Sequence, residues 1–60
     1  MCYFEAHYID IYDGTEITKK ICFDEQLFDT VKECYLHAMS EAYDMTGENE
    51  MFASLDFIAF

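Results

Sequence analysis

The chain has no proline, no tryptophan and no arginine, only two glycines and only three lysines. The glycine shortage leaves no Gly-rich phosphate loop and no G-x-S-x-G elbow, so the usual backbone cradles of phosphate and acyl chemistry are missing. Lack of proline removes a common guard against pairing at sheet edges. The shortage of cations matters most: 13 acidic residues against three lysines give a formal net charge of −10. A field of that sign repels nucleic acid and anionic membranes and attracts basic surfaces, including those of enzymes that bind DNA. No apolar run approaches the ~20 residues that a membrane helix needs. Cys2, Cys22 and Cys34 are odd in number and show no C-x-x-C pair. With no signal-peptide pattern after Met1, three free thiols point to a reducing cytoplasm.

What is abundant is apolar and aromatic matter, 53% and 18% of the residues. Sixty residues make a single domain, 1–60, and a chain this short buries only about 60% of its unfolded surface. The burial is worth on the order of 90 kcal/mol at ~25 cal/mol/Å². Ordering the chain costs about the same, at ~1.5 kcal/mol per residue. The isolated monomer is marginal and has more apolar surface than one small core consumes, so oligomerisation is the expected remedy.

Along the chain, Cys2 to Phe23 reads as a hairpin, because the Asp13-Gly14 pair in "YDGT" stands between two alternating runs. A two-residue loop flanked by Tyr12 and Thr15 would set Tyr8 opposite Lys19, Ala6 opposite Ile21 and Phe4 opposite Phe23. One face then carries Phe4, Ala6, Tyr8, Ile17, Ile21 and Phe23, a core. The other carries Tyr3, Glu5, His7, Ile9 and Ile11 against Glu16, Thr18, Lys20 and Cys22, a mixed surface.

From Asp24 the period changes. Asp24 suits an N-cap, Phe23 and Phe28 a hydrophobic staple, and Gly47 the end, which predicts a helix of about 20 residues. Its buried face would hold Phe28, Val31, Tyr35, Ala38, Met39 and Ala42, flanked by Leu27, Cys34 and Met45. The last stretch, "EMFASLDFIAF", reads as a strand with Met51, Ala53, Leu55, Phe57 and Ala59 on one face and Phe52, Ser54, Asp56, Ile58 and Phe60 on the other. Both faces are greasy. A right-handed crossover through the helix places this strand beside the first. The expected fold is α+β, order ββαβ, with a three-stranded antiparallel sheet in the order 2-1-3 and one helix packed on one face. One helix cannot cover both faces, so a second polypeptide is expected on the other.

Enzymatic readings are weak, and no cofactor is expected. Cys34 and His37 have the spacing of a thiol and base on one helix. They read better as a small hydrophobe at the core margin and a solvent-facing histidine. Cys34, His37 and Glu41 likewise lack the paired motifs of a zinc site. The exposed helix face is more telling. Glu25, Asp29, Glu33, Glu41 and Asp44 form an acidic ridge edged by Leu36, Ser40 and Tyr43, and polar-rimmed apolar patches mark contact sites. Carboxylates four residues apart rise ~6 Å along a helix. A DNA strand carries a charge every ~3.4 Å, so one helix is about half as dense a mimic. Two helices in a homodimer would do better. Ile9, Ile11, Phe52, Ile58 and Phe60 would form its seam, unless one of those faces docks a different protein directly.

The order ββαβ, 60 residues, the acidity, the "YDGT" hairpin and the capped "FDEQLF" segment resemble the small phage-encoded uracil-DNA glycosylase inhibitors, which are dimeric DNA mimics. The likeness is architectural and carries over no site residue. It implies carboxylates seated in the enzyme's phosphate-binding loops, and an apolar pocket for the leucine that the enzyme wedges into DNA. Leu36, Tyr43 and their neighbours are the candidates for that pocket. The expected function is therefore that of a non-enzymatic, acidic DNA mimic blocking a DNA-binding enzyme, uracil-DNA glycosylase first, in the cytoplasm of a bacterial host. The alternative is a small assembly module whose acid only keeps it soluble.

Overall fold

A computed structural model describes residues 1–59. The strands are β1 (Cys2–Asp10), β2 (Glu16–Phe23) and β3 (Glu50–Ala59), with one α-helix, α1 (Val31–Asp44), between β2 and β3. The sheet order is β2-β1-β3 and both pairings are antiparallel, the architecture that the sequence pattern predicts. The helix lies across one face. The other face is bare.

The hairpin closes two residues earlier than a two-residue loop would allow: Tyr8 faces Ile17, Ala6 faces Lys19 and Phe4 faces Ile21. Asp10 is the reason. Its Oδ1 accepts from the amides of Tyr12 at 2.8 Å and Asp13 at 3.2 Å, and its carbonyl accepts from Gly14 at 2.9 Å. Asp10 and Thr15 thus bracket a four-residue loop, and Gly14 takes the positive φ of 74° that lets the chain return. Side chains alternate with period two, so a slip of two residues leaves every one on its expected face. Phe4, Ala6, Tyr8, Ile21 and Phe23 are buried as the pattern requires, joined by Cys2, and Ile17 packs beside them.

The expected 20-residue helix is two pieces. Asp24 caps only a short 3-10 turn, Glu25–Leu27. Phe28 and Thr30 are both extended, and Thr30 caps α1 afresh, its Oγ1 accepting from the Glu33 amide at 3.1 Å. Glu33 Oε2 reaches back to the Asp29 amide at 3.0 Å. This is a near relative of the capping box, displaced by one residue, and "TVKE" is its signature. The staple pair still meets, with the Phe23 and Phe28 rings 5.5 Å apart.

Breaking the helix rotates its buried stripe: Cys34, Ala38 and Ala42 face the sheet, while Leu27 and Val31 are exposed. Small residues let α1 sit close, and Tyr8 uses the proximity to donate its hydroxyl to the Ala42 carbonyl at 2.5 Å. The helix stops at Met45, two residues before Gly47. Gly47 serves a different need. A Cβ there would meet the Glu50 carboxylate at 2.7 Å, the group that accepts from the Gly47 amide. Lys19 ties this corner together, its Nζ 2.6 Å from the Met45 carbonyl and 2.7 Å from Glu50 Oε1.

β3 departs most from the pattern. Its register against β1 shifts twice, between Tyr3 and Phe4 and between His7 and Tyr8, so Ile58 and Ala53 are each an extra residue without a partner. Each bulge reverses the alternation. Leu55 and Phe57 stay on the helix side as expected, but Phe52 joins them there, opposite Tyr8, and Met51 and Ala59 move to the bare face opposite Ile9 and Tyr3. Phe52 packs edge-on to Tyr8 at 5.8 Å and against Tyr43 at 4.8 Å. The bulges thus exchange apolar residues between the two faces of a strand that reads as greasy on both sides. The folded chain exposes 4081 Å², and scaling gives about 4,100 Å² for a monomer of this mass. Its surface is ordinary in extent. Its composition is not, since Tyr12, Leu27, Val31, Leu36, Tyr43 and Ile58 are all more than half exposed.

Candidate functional site: an acidic helix face and a bare sheet face

Two surfaces could meet a partner. The first is the outside of α1. At about 100° per residue, Glu33, Leu36, Ser40, Tyr43 and Asp44 all point away from the buried Cys34, Ala38 and Ala42. Leu36 is 57% exposed and Tyr43 60%, two turns apart. No ion pair among the described residues engages Glu33 or Asp44, although the exposed Lys32 shares this face. Tyr43 is held in place from below by the Phe52 ring.

Three of the expected ridge residues lie elsewhere. Glu41 is on the flank toward β2, paired with His37 at 3.1 Å. His37 does not point freely into solvent: its ring packs against Phe23 and Phe28 at centroid distances of 4.8 and 4.9 Å. Glu25 belongs to the 3-10 turn, where its Oε2 is 2.7 Å from the Met1 amino group, and that ammonium holds its carboxyl below the usual range. Asp29 precedes the cap. The outer face thus keeps five of the eight residues, with two carboxylates rather than five.

Cys34 is buried and its thiol points at the Glu25 carbonyl, 3.9 Å away, so it does not form a pair with His37. Among the described residues no three His, Cys, Asp or Glu side chains assemble into a metal-holding group. No helix among them is long and apolar enough to cross a membrane.

The second surface is the bare face of the sheet. The expected apolar seam across it is interrupted. Ile9 is half-buried, Ile58 is exposed, Ile11 lies in the hairpin loop, Phe52 is on the opposite side, and Phe60 is outside the described residues. Between Ile9 and Ile58 stands a polar centre that the sequence reading left without a role. His7, its side chain 17% exposed, has Nε2 2.9 Å from Asp56 Oδ2 and 4.0 Å from Glu5 Oε2, and Nδ1 3.3 Å from Glu16 Oε1. Thr18 Oγ1 is also 3.3 Å from Nδ1. The Nε2 contact with Asp56 is one of proximity, since Nε2 makes no aligned hydrogen bond. The three carboxylates come from three strands, and only the register brings them around one imidazole. The alternation of Glu5 and His7 was the visible signal, and Asp56 keeps the face that alternation gives it, but its place beside them needed the register of β3 on β1.

Comparison with protein-family models, with curated proteins and with solved structures finds no match to this chain.

Proposed function

We propose that this chain is a non-catalytic, acidic binding protein that occupies the basic, DNA-contacting surface of another protein. The observation that carries the reading is the outer face of α1, where Leu36 and Tyr43 are 57% and 60% exposed beside the carboxylates of Glu33 and Asp44, which no ion pair among the described residues engages. Exposed apolar anchors rimmed by like charges are the makings of a contact site: the anchors supply affinity once desolvated, and the charges steer encounter with a basic groove. A net charge of −10 extends that steering over the whole molecule. Three free cysteines suit a reducing cytoplasm as the place of action.

Within that class, uracil-DNA glycosylase is the target we propose, on the strength of the architectural resemblance. The two quoted segments do not add to it, since "YDGT" closes a longer loop and "FDEQLF" is a separate turn ahead of α1. The test is uracil excision by the purified enzyme with increasing amounts of this protein at two salt concentrations. Inhibition that weakens at high salt, and weakens further in Leu36→Ala and Asp44→Lys variants, is the expected result. Full excision at a large molar excess would remove this target, and failure to compete with DNA for any basic DNA-binding enzyme would remove the class.

A second reading, an assembly module working through the bare sheet face, is favoured by the exposure of Tyr3, Met51 and Ile58 there. Such a protein would self-associate and leave excision untouched.

A further inference from the structure

We infer that the bare sheet face is a docking platform for a basic segment of another protein, with an arginine of that segment taken by Glu5, Glu16 and Asp56 around His7. This surface lies across the sheet from α1, so the inference stands independently of the helix-face reading. The face has two apolar ends and a charged middle. At one end Tyr3, Ile58 and Ala59 come together beside a shallow hollow of about 140 Å³ lined by Tyr3, Phe4, Glu5, Lys20 and Ile58. At the other end Ile9 pairs with Met51. The middle row is Thr18, His7 and Ser54, with the three carboxylates around it.

Charge decides between the occupants. A two-fold interface sets a patch against its own copy. Two of these faces together would bring six carboxylates to the seam against two lysines and two imidazoles, since each copy contributes Glu5, Glu16, Asp56, Lys20 and His7. Burying unmatched carboxylates is costly. A basic segment removes that cost, and a guanidinium fits better than an ammonium because its planar fork can serve two carboxylates at once. His7 prepares the site. Its ring nitrogens stand against all three acids, and with 17% of its side chain exposed it is itself held in place by the sheet. The carboxylate chains are therefore partly ordered before a partner arrives.

The test uses two fluorescein-labelled peptides of the same length, one alternating arginine and leucine, the other with citrulline in place of arginine, read by anisotropy against the full chain. The arginine peptide should bind at least tenfold more tightly than the citrulline peptide. The Glu5→Gln, Asp56→Asn double variant should weaken it by about tenfold or more, since hydrogen bonds to charged groups are at stake. Asp29→Asn with Glu48→Gln removes the same charge from exposed positions away from His7 and should change binding less than twofold. Glu16→Gln, at the most exposed of the three acids, repeats the test with the least risk to folding and should weaken binding about threefold. Equal weakening by the two double variants would mean general attraction to an acidic protein and would overturn the inference. So would a sedimenting dimer that Ile58→Asp dissociates, which would give the face to a second copy.

Discussion

Deletion of Ala53 tests the least expected feature of the fold. Ala53 is an exposed residue that pairs with nothing on β1, because Ser54 faces His7 and Phe52 already faces Tyr8. Removing it joins Phe52 to Ser54 and leaves a regular ladder with Phe52 still on the helix side and Ser54 still on the bare side. The loss should stay under about 1 kcal/mol, the scale of a local adjustment. In a strand without that bulge Phe52 would begin on the bare face, and the same deletion would reverse the faces of Glu50, Met51 and Phe52. Deleting Lys20 is the control. That residue is equally exposed but sits in the unbroken β1–β2 ladder, so its removal must turn Ile21 and Phe23 out of the core, at about 3 kcal/mol or more. In urea, with a slope near 1 kcal/mol/M for a small domain, the midpoint should fall by less than about 1 M without Ala53. Without Lys20 it should fall by about 3 M, or the transition should vanish. Equal losses from the two deletions, measured by circular dichroism, would refute the bulged register.

Three further outcomes are expected. Tyr8→Phe removes a buried hydroxyl from the Ala42 carbonyl, which keeps Thr46 Oγ1 at 3.3 Å as a second donor; a loss of about 1 kcal/mol in urea unfolding is expected, and no loss would deny that bond a role. Thr30→Ala should cost about 1 kcal/mol and reduce helical ellipticity, while Asp24→Ala, at the cap of the detached turn, should leave ellipticity nearly unchanged; the opposite order would restore the longer helix. Stability should also fall in acid. Lys19 holds the Glu50 carboxyl below the ordinary range, and the Thr15 donors do the same for Asp13. Both groups bind protons more readily when unfolded, near pH 4, so their contribution is complete above that value and is lost as pH falls through the lower folded values. The urea midpoint should be level above about pH 5 and drop below about pH 4, and Glu50→Gln should flatten the drop; an unchanged profile in that variant would contradict the Lys19 pairing.

The residue pattern alone determined the element order, the sheet order and the core of the first two strands. Those depend on period-two alternation and on the handedness of a crossover, and both survive an error in loop length. Misplacing the hairpin register by two residues moved no side chain of Phe4, Ala6 or Tyr8 off its face. The acidic excess was equally plain in the composition.

Tertiary structure decided what local signals leave ambiguous. Asp24 and Thr30 both look like caps, and the choice fell to Thr30 because Glu33 reinforces it and Phe28 is drawn back onto Phe23. That choice rotated α1, set Cys34, Ala38 and Ala42 against the sheet, and left Leu36 and Tyr43 outside. A bulge depends on the match between two strands and leaves no mark in the alternation of one. Phe52 therefore crossed to the core side, while the register between the two bulges set Asp56 near His7, with Glu5 and Glu16. The chain's charge is a property of its composition, but the gathering of three carboxylates around one imidazole belongs to the register of three strands.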